Sequence, residues 1–167
     1  MYFCKKIVST FCASVLLAAC GSGGEDTNGP VDDDLTTSKV SSFTIQQSAG
    51  FTAPGANCRT SGFWTIDLVN KTITGAGCVE ARRTTVSRTL TNTEVGEARM
   101  ALAKVRTAPR PESCPTDAQV LSLDVVRNGT QYRYVQERSA CSSGTPVTSE
   151  TIAALYQKAV ELIPPRN

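Results

Sequence analysis

LSLDVVRNGTQYRYVQE, Leu121 to Glu137, alternates apolar and polar residues on both sides of Asn128-Gly129. Asn-Gly is the favoured pair for a type I′ turn, because both residues tolerate positive φ and the turn matches the twist of the strands it joins. A tight turn also fixes which residues face each other. Val125 then opposes Tyr132 and Leu123 opposes Tyr134 on an apolar face, with Asp124 opposite Arg133 on the other. A hairpin patterned in this way needs further strands or a helix to cover its apolar side.

The same pattern recurs upstream. WTIDLVNKTITG, Trp64 to Gly75, sets Trp64, Ile66 and Leu68 on one face. A tight turn at Asn70-Lys71 would place Leu68 opposite Ile73 on that face and makes Trp64 a core residue. Arg82 to Leu90, rich in Thr and Val, is a third strand candidate, and an early strand is expected around Phe43 to Gln47.

Two helices complete the set. Leu90-Thr91-Asn92-Thr93-Glu94-Val95 carries a capping box, Thr91 with Glu94, and a hydrophobic staple, Leu90 with Val95. Val95, Ala98, Leu102 and Val105 form a helical stripe that ends before Pro109. A second helix is expected from about Ser149 to Leu162. It has Ile152, Leu155, Tyr156, Ala159 and Ile163 on one side and stops at Pro164-Pro165. The order is hairpin, strand, helix, hairpin, helix. The class that buries these stripes is α+β, an antiparallel β-sheet with two helices packed on one face.

The beginning of the chain reads differently. Lys5 and Lys6 precede an apolar run, Ile7 to Ala19, which has the length of a signal peptide's hydrophobic region. A bilayer span needs roughly 20 residues, so the run is too short to be one. It ends in Leu17-Ala18-Ala19-Cys20. This resembles the lipobox of bacterial lipoprotein precursors. The resemblance covers residues 1–20 only. It implies that residues 1–19 are a signal peptide, that Cys20 is acylated, and that several acyl chains hold the protein to a membrane of the cell envelope. Gly21 stands where, by the family's rule, an aspartate favours retention in the inner membrane, so the outer membrane is implied for a host that has two.

Residues 20–39 then form the anchor and a tether. GSGGEDTNGPVDDDLTTSK offers almost no apolar surface to offset its ordering entropy. As a flexible chain it would span about 25 Å. Residues 40–167 suit a single domain. The net charge of +2 comes from Lys5 and Lys6. From Val40 onward there are 14 basic and 10 acidic side chains. That balance is too mild for a nucleic-acid binder.

Cys58, Cys78, Cys114 and Cys141 remain for the domain, an even number in an exported chain, which argues for two disulfides. Of the three pairings, hairpin register favours Cys114–Cys141, about two positions from direct opposition, and Cys58–Cys78, about five positions from it. Each bridge would contribute roughly 3–4 kcal/mol. Their spacings of 20, 36 and 27 lack the close pairs of zinc sites, so no metal is expected.

The chain contains no histidine. That excludes Ser-His-Asp and Cys-His nucleophilic systems and histidine proton shuttles. Asp67, Asp124 and Glu137 are the carboxylates on strands, and solvated surface is their ordinary role. No cofactor, no nucleic acid and no enzymatic activity are expected. Oligomeric state stays open. RTAPRPESCPTD, Arg106 to Asp117, is the candidate binding loop, with Arg106, Arg110, Glu112 and Thr116 as its polar groups. Proline and Cys114 would stiffen it and lower the entropy lost on docking. Arg82, Arg83 and Arg88 read as solvated edge-strand charges. Two functions follow. One is a non-enzymatic envelope module that binds or inhibits a protein. The other is a small-ligand or glycan-binding domain with weak carboxylate catalysis.

Overall fold

The computed structural model describes residues 39–48, 61–79, 82–113, 120–140 and 144–164. Seven strands form one sheet: β1 (Val40–Gln47), β2 (Gly62–Asp67), β3 (Thr72–Val79), β4 (Arg82–Thr89), β5 (Leu121–Arg127), β6 (Thr130–Gln136) and β7 (Thr145–Val147). Helix α1 (Asn92–Leu102) follows β4, and α2 (Ser149–Glu161) follows β7. The sheet order is β4-β3-β2-β1-β5-β6-β7, antiparallel except for the β6–β7 pair. The fold is therefore α+β. No helix among the described residues is long and apolar enough to cross a membrane.

The second hairpin has the expected register: Val125 pairs with Tyr132, Asp124 with Arg133 and Leu123 with Tyr134. Asn128 and Gly129 both have positive φ, 51° and 78°. The first hairpin differs from expectation. Ile66, not Leu68, opposes Ile73. The cause is Asp67, whose carboxylate accepts hydrogen bonds from Val69 N at 2.9 Å, Asn70 N at 2.8 Å and Asn70 Nδ2 at 2.8 Å. These bonds stabilise a connection of four residues in place of two, with Lys71 at φ 54°. The slip is even-numbered, so the same side chains stay on the core face.

Core residues come from every layer. Phe43, Ile45, Trp64, Ile66, Ile73, Leu123 and Val125 of the sheet form one cluster with Val95, Ala98 and Leu102 of α1 and with Ile152, Leu155 and Ala159 of α2. The two helices pack on each other, and α2 also lies against β1, β2 and β5. The Trp64 indole fits because Gly77 lacks a side chain: a Cβ there would come within 2.7 Å of Trp64 Cζ2.

Helix α1 starts with the full capping box. Thr91 Oγ1 accepts from Glu94 N, and Glu94 Oε2 accepts from Thr91 N at 2.7 Å. Helix α2 is capped from outside. Glu137 Oε1 accepts from Ser149 N at 3.3 Å and from Ser149 Oγ at 2.9 Å, which sets a carboxylate at the positive end of the helix.

Arg88 is not a solvated charge. It lies opposite Ile73 on the core side, and its side chain is only 16% exposed. Its Nη2 donates to Glu94 Oε1 at 2.7 Å and to the Leu162 carbonyl, while Nε donates to Leu162 O at 3.0 Å. One guanidinium thus joins β4, the start of α1 and the end of α2. Arg82 and Arg83 are exposed on the edge strand, as expected. The other edge is covered: Thr107 bridges Val147, Ala108 N donates to Pro146 O, and Thr148 N donates to Arg106 O. Pro109 then prevents further pairing.

Candidate functional site

Strand pairing defines two ends of the sheet. Lys39, the Asp67–Thr72 connection and the Asn128–Gly129 turn share one end, since Asn128 N donates to Lys39 O and Leu68 N to Ser41 O. Gln47, Gly62, Leu121 and Gln136 mark the far end.

Pairing also defines two faces, because successive side chains in a strand point oppositely. The residues between the core positions form transverse rows. Ser87, Thr74, Thr65, Thr44, Asp124 and Arg133 follow one another across six strands. Thr44 and Thr65 share a hydrogen bond of 2.9 Å between their hydroxyls. The next row towards the far end is Thr85, Ala76, Phe63, Gln46, Ser122 and Val135. Phe63 is 49% exposed there, although its neighbour Trp64 is fully buried on the core side.

Two depressions indent this second row at the far end. One, of about 270 Å³, runs from Gln46 and Ser48 past Phe63 to Arg83. The other, of about 300 Å³, runs from Gln46 and Ser48 past Ser122 to Arg133 and Ser139. Gln46 and Ser48 line both, so the two depressions adjoin over β1, two halves of a trough across the strands. Gln46, Ser48 and Ser122 lie in its middle beside Val120, Val135 and Ala76, and a guanidinium stands towards each end. No carboxylate lines either depression among the described residues. Arg133 is half-engaged, with Nη1 3.8 Å from Asp124 Oδ2, while Asp124 Oδ1 is buried without a hydrogen-bond partner. A third depression, of about 460 Å³, lies between α1 and α2, bounded by Met100 and by the charged residues Glu97, Lys104, Glu150 and Lys158.

The carboxylates singled out from the sequence do not meet. Asp67 is engaged by the β2–β3 connection, and the Asn70 backbone N–H holds its carboxyl below the usual range. Asp124 faces Arg133, two rungs further along the sheet, and Glu137 caps α2. Nor does the Arg106–Glu112 segment present free cations. Arg106 Nη1 donates to Ala103 O at 2.8 Å and Val105 O at 3.1 Å, closing the end of α1. Arg110 donates to Ala140 O at 2.5 Å and to Gly144 O at 3.1 Å. Glu112 is exposed. Thr116, Cys20, Cys58, Cys114 and Cys141 lie outside the described residues, whereas Cys78 is disulfide-bonded.

The sequence reading missed the trough. The alternation Gly62-Phe63-Trp64 does signal that one aromatic ring faces away from the core. The strand order that brings Arg83 and Arg133 onto one row system is not visible in any local pattern. No family model, curated protein or solved structure matches this chain.

Proposed function

We propose that this chain is an envelope lipoprotein, anchored through acylated Cys20, whose domain is a non-enzymatic binding module that takes its ligand on the sheet face away from the helices. The observation that carries the reading is the trough between Arg83 and Arg133 at the end of the sheet opposite Lys39. A tether leaving β1 at Lys39 approaches from the other end, so the trough faces away from the anchor. Layering supports it as well. Both helices pack on one face in this reading, consistent with the single core cluster, the α2 contacts with three strands and the Arg88 link from β4 to both helices. The opposite face then carries the two rows described above, mostly hydroxyls and an amide, with Phe63, Ala76, Val135 and the Asp124–Arg133 pair.

This face is favoured over the Arg106–Asp117 loop because Arg106 and Arg110 are already engaged by backbone carbonyls. Disulfides Cys58–Cys78 and Cys114–Cys141 would staple the chain, and the bonded state of Cys78 supports the first. The outer membrane is the proposed location where the host has two membranes.

The test is photo-crosslinking of the full chain in host membranes, with a photoreactive side chain at Gln46 or at Met100. Adducts formed at position 46 and not at position 100 are expected. Adducts only at position 100, or at neither, would overturn this reading.

A further inference from the structure

We infer that the trough binds a linear anionic oligosaccharide laid across the strands. The inference rests on the binding-module reading and names its ligand class. Four observations on the site converge. First, its shape is long and narrow. It crosses from β4 to β6, five strand intervals, which is about 24 Å at ordinary spacing. That suits an extended polymer and is poorly matched to a compact metabolite.

Second, the trough lies on the face of the sheet. The backbone N–H and C=O groups of its inner strands, β3, β2, β1 and β5, are paired within the ladders on both sides. An extended peptide is recognised chiefly through backbone groups at a sheet edge. Across those strands only side chains are on offer. In the middle, Gln46 is an amide that donates and accepts, as sugar hydroxyls do, while Ser48 Oγ is engaged with the Val120 backbone and Ser122 is buried.

Third, Phe63 gives the polar floor one exposed apolar ring. A pyranose has an apolar C–H face that packs on such a ring, and the rest of its rim is polar. Fourth, Arg83 and Arg133 supply cations at separate points with no carboxylate between them among the described residues. Guanidinium matches carboxylate and sulfate in fork geometry. An anionic group on spaced sugar units meets both. Asp124 stands beside Arg133 on the neighbouring strand, and its weak 3.8 Å contact leaves donors of that guanidinium for the ligand.

The experiment is calorimetric titration of the full acylated chain in detergent micelles. The probes are an oligogalacturonate, its fully methyl-esterified neutral form, a sulfated dextran oligomer and poly-glutamate. Saturable binding of the oligogalacturonate or the sulfated oligomer is expected, and which of them binds identifies the anion. Phe63→Ala and Arg83→Gln, both at exposed side chains, should each weaken it at least about fivefold, the scale of one good contact. The neutral ester should bind at least about tenfold less tightly. Met100→Ala, on the helices, should change nothing.

Binding of neither anionic oligosaccharide overturns the inference. So does binding indifferent to Phe63→Ala, or poly-glutamate binding as tightly, since either means that charge alone is recognised. In those cases crosslinks at position 46 would leave the binding-module reading standing with another ligand. Loss of crosslinks at that position would remove both.

Discussion

Glu94→Gln removes one negative charge from the point where β4, α1 and α2 meet. The carboxylate is 2% exposed and receives Arg88 Nη2 at 2.7 Å, Arg88 Nη1 at 3.3 Å and Thr91 N at 2.7 Å. The hydrogen bond from Arg88 is the main reason its carboxyl is held at about 2, against an ordinary 4.5, and burial opposes that shift. The gap between those values corresponds to about 3 kcal/mol of folding stability. Breaking a buried ion pair costs about 3–5 kcal/mol. The low end applies here, because Arg88 keeps the Leu162 and Ile163 carbonyls as partners. Glu94→Gln should therefore cost about 3 kcal/mol at pH 7. A carboxylate whose folded pKa is depressed contributes fully above its unfolded pKa, and the contribution is lost as pH falls through the folded value. The difference between wild type and Glu94→Gln should thus stay constant above about pH 5 and shrink to about 1 kcal/mol near pH 2.5. Urea unfolding without reductant, run at both pH values, measures it. A difference below about 1 kcal/mol at pH 7, or one that does not change with pH, would refute the reasoning.

Gly77→Ala should destabilise by about 2 kcal/mol, because its new Cβ meets the Trp64 ring at 2.7 Å. As Trp64 is the sole tryptophan, its fluorescence reports the same change. Arg110→Ala should lower stability by about 1–2 kcal/mol in thermal or urea unfolding, through the lost bonds to the Ala140 and Gly144 carbonyls. It should leave crosslinking at position 46 unchanged. Cys20→Ser should move the protein from the membrane fraction to the soluble fraction on ultracentrifugation. Peptide mapping without reduction should recover Cys58 joined to Cys78 and Cys114 joined to Cys141.

Elements were readable where a few neighbouring residues decide them. Asn128-Gly129 pins its hairpin because backbone conformation and side-chain alternation demand the same register. Thr91 and Glu94 mark the start of α1 for a similar reason, since the capping box spans four residues. The first hairpin shows how such reading fails. Asn70-Lys71 looked like a two-residue turn, but the Asp67 carboxylate, just outside it, stabilises a longer one. Strand β7 is three residues long and contains Pro146, so no alternation announces it. It exists because β6 and the Thr107 segment lie on either side. Arg88 was misread because a guanidinium on an apolar face has no periodic signature, and Glu94 was already accounted for by the cap. The trough required the order of strands, which is set by long-range packing.

Among the described residues, strand β1 is the first element in sequence and the middle of the sheet in space, with β2 on one side and β5 on the other. A pull applied at Lys39 therefore runs along β1 and strains both flanking ladders together, in shear. Hydrogen bonds loaded side by side share the force, whereas a hairpin at an edge would peel open one bond at a time. In the proposed reading, a domain on a tether is tugged whenever what it holds moves. In that reading the tug would be met by two ladders at once, one to β2 and one to β5.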